Sequence, residues 1–559
     1  MVREKVARKV RKSLGSGAGV GAKFLKVESW LRFLIYVLPL ALMFSYYPII
    51  TLGENASMNL ELSVPLVWLV VFDVSAVYLM AKRKVLFSVF AVRGRWLWLL
   101  FPLFLTLSVI WSLNVLRGIL VVGILWLIYV AVYGFFNLRD LFCVEDFRKK
   151  FWRAFFGATI LVCLWCVLQC VLDLVGISRE GSLMCAGCVY QMFGFPHPNG
   201  FAIEPQFMGN LLLAPAIVAM WAVVKNTSGS DSLRLKLLLL LFVITATLFL
   251  TFSRGAIYAF VVAMVFLLMW VGMQRKSWRG VGKVVATVVV AFLFTLNAQG
   301  IMAAVSPTND TYQSGVAKVL NHLSLGKIDV REKKAENSEG TEEEKAEANK
   351  NGQADETEKK ANDDEAETGR NRELEAEVDE KALLIERREE NSSVFDGYVE
   401  GSTDTRIGLS NAAGEVWAKN SATVWFGVGI GGAGEALYQN GLSPAPKEIV
   451  QNEYMSLLLE TGLVGIALFV LMLGLILRAI VKGVKVQSAK EIKTAKVKIA
   501  TTKTTILKSE TAPIVLTMMV AYGITLLFFS GLPNALHIYL LTGLVFVMGL
   551  KMKQNKILR

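Results

Sequence analysis

The chain has 559 residues, 54% of them apolar and 19% charged, with a formal charge of +13 and a positive mean hydropathy. That composition excludes an ordinary soluble domain. The surplus of Lys and Arg does not signal nucleic-acid binding, because it is distributed by topology, as the loops below show.

In chain order, the basic segment 1–30 is followed by no short apolar stretch with a cleavage site, so it reads as a cytoplasmic lead-in rather than a removable signal. Apolar runs long enough to span a bilayer then recur near 31–52, 62–80, 96–112, 115–137, 154–176, 207–224, 233–252, 255–273, 283–303, 454–481, 513–530 and 535–550. The expected fold is an all-α polytopic membrane protein of about 12 transmembrane helices, a bundle over 31–303 and a second over 453–552. "AKRK", "NLRD", "DFRKK", "LRLK", "QRKSWRGVGK", "KGVKVQSAKEIKTAKVK" and the tail 553–559 all fall on one side. The intervening loops 53–61, 112–114 and 531–534 have almost no Lys or Arg. By the positive-inside rule both termini are cytoplasmic.

Between the ninth and tenth spans lies a large extracytoplasmic loop, 304–452. Its acidic insert, about 331–390, is charged and nearly free of aromatic residues, so it cannot bury a core and reads as disordered or as a loose solvated helix. The flanks 303–330 and 393–452 carry Tyr, Trp and apolar residues and can fold against the membrane face. From Ser402 to Tyr438 the pattern predicts a polar turn, a short amphipathic helix and a glycine-rich turn. "GVGIGG" is no dinucleotide site, since no βαβ unit surrounds it; Gly427 and Gly429 suit close backbone packing or a bend. Cys163, Cys166 and Cys170 lie inside a span as packing residues. Cys185 and Cys188 form "CAGC" on an outer loop, read as a disulfide or two idle thiols, and no metal site is expected.

The polar residues gather on the outer side. "FGFPHPNGFAIEPQF" carries His197, Asn199 and Glu204 into the sixth span. "TFSRGAIY" holds Arg254 at a tight turn between two apolar helices, and "STDTRIG" puts Arg406 in the large loop. Outer-face arginine runs against the positive-inside bias, and its planar fork suits phosphate oxygens. "IVQNEYMSLLLETGLVG" carries Glu453 and Glu460 into a span on one helix face. Glu453 favours the helix dipole; Glu460, about 10 Å deeper, should face the interior and be paired or protonated, with an arginine the simplest partner.

"SRG", an arginine in a large outer loop, "FGVGIGG" and then "QNEYMSLLLETGLVG" together resemble the O-antigen ligase and polymerase family of bacterial envelope glycosyltransferases, over roughly 190–470. The resemblance implies a GT-C-like helical architecture in the inner membrane, with its active face extracytoplasmic. It implies a metal-independent transfer, without cofactor, of a glycan from undecaprenyl pyrophosphate to an acceptor hydroxyl on a second glycan or on a lipid. It assigns Arg254 and Arg406 to the pyrophosphate and allows a chain-length regulator protein as a further partner; Glu460, Gly427, Gly429 and Gly462 read as structural. The family's loop histidine, its general base, matches Gln451, which cannot take a proton. His197, His322 and His537, the chain's three histidines, lie elsewhere. Glu453 and Glu204 are therefore the candidate bases, with Gln451 and Asn452 orienting sugar hydroxyls. The departure at Gln451 favours a surface-polysaccharide polymerase over a ligase; a lipid-linked glycan transporter or flippase is the reading from another class, for which charged residues should line several helices.

Overall fold

A computed structural model describes residues 26–550 except 46–47, 56–57, 87–94, 176, 178–194, 203, 227–229, 274–277, 306–310, 325–393, 447, 483, 495–496, 508, 530 and 532–534. The acidic insert and the Cys185–Cys188 pair lie outside the described residues, as do both terminal segments.

The protein is a polytopic helical membrane protein. Helix α1 covers 26–42. It is followed by strands β1 (Pro48–Asn55) and β2 (Met58–Ser63), then α2 (Val64–Lys82), α3 (Leu100–Ser108), α4 (Val115–Asn137), the single turn α5 (Arg139–Phe142) and α6 (Glu145–Leu174). Four helices come next: α7 (Pro205–Lys225), α8 (Asp231–Leu250), α9 (Arg254–Met273) and α10 (Trp278–Val305). The large loop supplies α11 (Tyr312–Leu323), α12 (Val394–Ala418), α13 (Ser421–Phe426) and α14 (Ala433–Gln439). The chain ends with α15 (Glu453–Lys482), strands β3 (Val484–Thr494) and β4 (Val497–Leu507), α16 (Ala512–Thr525) and α17 (Leu536–Met548). Eight of these helices are long and apolar enough to cross a membrane, and three apolar helices, at 97–111, 512–525 and 536–548, are shorter.

Three local expectations change. The first apolar run is helical only to residue 42; Pro48 and the β-branched stretch that follows leave the helix and pair with β2 as an antiparallel hairpin. The basic stretch after α15, read as a loop, forms a second hairpin in which Val484 faces Leu507 and Thr494 faces Val497. Its alternation of Val, Ile and Thr with Lys and Gln has the period of a strand. The polar turn expected at 402–406 is instead part of the 25-residue helix α12.

Helix α7 is the central post of the bundle: 83% of its apolar window is buried, against 11% for α15. It packs on α8, α9, α10 and α16. Gly209 marks its closest crossing with α9, where an added Cβ would stand 2.8 Å from Ala256 Cβ and 3.1 Å from Ser253 Cβ. Small residues at such crossings let helix backbones approach where lipid supplies no hydrophobic drive. Replacing Gly209 with Leu is expected to push α9 off α7 and to lower the thermal midpoint of the detergent-purified protein by several degrees.

Candidate functional site

The polar residues converge at one end of the bundle, where α7, α9 and α15 begin and α11 and α12 pack. The turn before α9 is built from its sequence. Ser253 Oγ accepts the Ala256 N–H at 3.4 Å, and its carbonyl accepts the Ile257 N–H, so Ser253 caps the helix and Arg254 occupies its first position. Gly255 has no side chain, which lets Phe528, from the turn after α16, approach; a Cβ there would stand 3.2 Å from Phe528 Cβ. The Phe528 carbonyl thus reaches the site. It accepts Arg406 Nη1 at 3.4 Å and Gln206 Nε2 at 3.0 Å, while Arg406 Nη2 donates to Gln206 Oε1 at 3.0 Å. Arg406 comes from α12 and Gln206 from the first turn of α7, so one amide locks the guanidinium to the bundle.

Rings brace the same turn. Phe252 stacks with two imidazoles, His197 at 4.9 Å and His322 at 4.3 Å between ring centroids, each inclined by only 16°. His322 Nε2 donates to the Phe252 carbonyl at 3.3 Å. The His197 loop is itself pinned by Gln169 of α6, whose Nε2 donates to Asn199 Oδ1 and the Gly200 carbonyl and whose Oε1 accepts the Gly200 N–H. His322 is carried in by α11, which lies on α10 through Gly315, where a Cβ would stand 2.6 Å from Ala303 Cβ. Tyr258 Oη donates to the Leu323 carbonyl and ties the end of α11 to α9.

Burial and charge set the protonation states here. Burial pushes His197 down to about 3. Burial first, then the charge of Arg254 and smaller contributions from His197 and Arg406, hold His322 well below the ordinary imidazole range. Both rings are neutral at physiological pH. Glu204, the N-cap residue of α7, moves the other way: desolvation raises its carboxyl, and the nearby charge of Arg406 only partly opposes this.

The "QNEYMSLLLETGLVG" segment splits into parts with different surroundings. Gln451 is half-buried, and its amide makes no hydrogen bond among the described residues. Asn452 caps α15, its Oδ1 accepting the N–H groups of Tyr454 and Met455. Glu453 clasps the turn between α16 and α17: its N–H donates to the Leu526 carbonyl at 2.9 Å, and its Oε2 accepts the Gly531 N–H at 2.7 Å. Glu460 reaches the glycine-rich turn. Its carboxylate accepts the N–H groups of Gly431 and, at 3.4 Å, Ala433, with Arg117 the nearest opposite charge.

That turn and α15 meet backbone to backbone. Helix α15 breaks at Gly462, with φ 62° and ψ −169°, and Gly427 has φ 71° and ψ −172°. Both lie in a region open essentially to glycine alone. The carbonyls of Leu459 and Glu460 accept the N–H groups of Val428 and Gly429. An added Cβ on Gly429 would stand 2.3 Å from Ser112 Cα, so the turn also abuts the segment before α4.

Arg254, Arg406 and Glu204 therefore share a neighbourhood, with Glu453 joined to it through the turn that carries Phe528. Glu460 and the glycines lie about two turns further along α15, beside its break at Gly462. Two residues of the site carry little signal in the sequence. Gln206 stands in the quoted proline-rich stretch, and its place directly after Pro205 at a helix start was the available signal. His322 carries no motif and is brought in only by the packing of α11.

No curated protein and no solved structure matches the chain. Residues 237–470, from α8 to the middle of α15, match the model of the family described as O-antigen ligase, Wzy_C. Those residues hold both arginines, the glycine-rich turn and the Glu453–Glu460 helix, and the match over that span supports an O-antigen ligase or polymerase type of protein in surface-polysaccharide synthesis.

Proposed function

We propose that the protein is a membrane glycosyltransferase that polymerises a surface polysaccharide, moving a glycan from undecaprenyl pyrophosphate to the hydroxyl of a second glycan on the extracytoplasmic face. The observation that carries this reading is the convergence of Arg254 and Arg406 at one end of the bundle, with both charges felt at His322. All 12 apolar helical segments are then spans, in the GT-C-like arrangement, with both termini cytoplasmic. That topology puts the large loop and both arginines outside.

The acceptor oxygen attacks the anomeric carbon, the bond from that carbon to the pyrophosphate oxygen breaks, and the lipid pyrophosphate leaves with the electron pair. Arg254 and Arg406 bind the charge that grows on the leaving group, where electrostatic stabilisation acts most strongly. Arg406 is already held by Gln206 and the Phe528 carbonyl, so little reorganisation is needed as that charge develops. The acceptor proton passes to Glu204, whose raised pKa suits a general base. Glu453 holds the turn that presents Phe528, and the unengaged amide of Gln451 orients an acceptor hydroxyl. No step calls on a metal or a nucleotide sugar. A chain-length regulator would act on the product through a partner surface.

Purified protein given only an undecaprenyl-pyrophosphate-linked glycan in detergent should produce a ladder of longer glycans. A ladder that appears only when two membrane compartments are present would favour a transporter. A product formed only when a lipid acceptor is added would favour a ligase. Within the site, Glu204→Gln is expected to slow lengthening by about 10²–10⁴-fold. Glu453→Gln, which keeps an acceptor for the Gly531 N–H, should stay within about tenfold of wild type. The opposite order in initial rates would exchange their roles.

A further inference from the structure

Phe252 is one of two non-glycine residues with positive φ among the described residues, at 58°. For a bulky side chain that conformation costs on the order of 1–3 kcal/mol and persists only where the surroundings enforce it. What enforces it here is visible. His197 and His322 both stack on the ring, and His322 Nε2 holds the carbonyl of the strained residue itself. Phe195 closes the edge, its ring perpendicular to His197 and packed against Phe252. Two residues later the chain delivers Arg254 at the start of α9.

We propose that His322 is a positioning residue for Arg254: by stacking on Phe252 and bonding its carbonyl, it holds the strained turn and so fixes where the guanidinium stands. The inference rests on the reading of Arg254 as a pyrophosphate ligand. The ring is suited to the place. It offers a flat face to Phe252 and a directed donor to the carbonyl, and in its neutral form it adds no positive charge beside Arg254 and Arg406. Lysine or arginine at 322 would supply the donor at the cost of like-charge repulsion. Helix α11 thereby links the large loop to the reacting end: its last turn carries both His322 and the Leu323 carbonyl that takes Tyr258 Oη.

A double-mutant cycle on the full-length protein tests this, with initial rates of glycan lengthening from an undecaprenyl-pyrophosphate-linked donor as the readout. His322→Ala is expected to lower the rate about 10–100-fold, the scale of an ångström-level misplacement. In an Arg254→Lys background the same change should cost less than about threefold, because the misplaced group is already compromised. His322→Gln, which can still donate to the carbonyl, should recover part of the rate. Gel-filtration profile and thermal midpoint report folding for each variant. Equal losses in both backgrounds, or no loss in the wild-type background, would overturn the inference while leaving the pyrophosphate reading intact, provided Arg254→Lys alone is damaged. A fully active Arg254→Lys protein would overturn that reading and this inference with it.

Discussion

Arg254→Lys is expected to reduce glycan lengthening by at least about 10²-fold while leaving expression, membrane insertion and thermal midpoint unchanged. The charge survives this substitution, so a role as a mere interfacial cation would survive as well. What is lost is the planar fork that can meet two phosphate oxygens at once. Removing one preorganised donor aimed at developing charge costs about 10²–10³ in rate in well-studied enzymes. The helix cap of this turn comes from Ser253, and the close approach of Phe528 from Gly255. The measurement is the initial rate with purified protein and lipid-linked donor, beside the size ladder of surface polysaccharide in cells carrying the variant. Wild-type values in both would remove the pyrophosphate role.

The second large effect is structural. Gly462→Ala is expected to abolish the properly folded protein or to displace the glycine-rich turn from α15. The backbone conformation alone disfavours any Cβ there by about 1–3 kcal/mol. The added atom would also stand 2.5 Å from the Trp425 carbonyl carbon and 2.6 Å from the Phe426 nitrogen, main-chain atoms that cannot swing aside. Gly427→Ala meets the same obstacle from the other side, 2.3 Å from the Glu460 carbonyl carbon. Gly474, in the same helix, is a fitting control, because nothing lies within 4 Å of its added Cβ. There alanine should be neutral or stabilising by up to about 1 kcal/mol. Thermal midpoints and monodisperse yield in detergent compare the three. A Gly462→Ala protein as stable as Gly474→Ala would show that α15 does not need its break.

That break also explains why two carboxylates enter one span. Glu453 is spent at the helix start, on the Gly531 N–H of the turn after α16. Glu460 lies below the turn of the glycine-rich segment and accepts its N–H groups, with Arg117 near by. A buried carboxylate is tolerated where backbone donors and an opposite charge replace its water. The arginine expected as a partner is present, but backbone N–H groups make the hydrogen bonds.

The linear order of residues by itself determined the class of protein. Hydropathy over windows of about 20 residues is a local property, because each helix satisfies its own backbone bonds wherever it stands in the bundle. Helices accordingly occur at each apolar run, and "SRG" with its cap, arginine and glycine could be read as the start of one. The hairpins at 48–63 and 484–507 are masked in the sequence, because an apolar run overlaps the first and a basic cluster the second. Only the tertiary structure decided which polar residues meet. Gln206 and Arg406 are 200 residues apart and share a hydrogen bond. His322 and Phe252 are 70 apart and stack. Contacts between distant segments depend on crossings such as Gly209 on Ala256 and Gly315 on Ala303, whose depth is set by paired surfaces rather than by either segment alone.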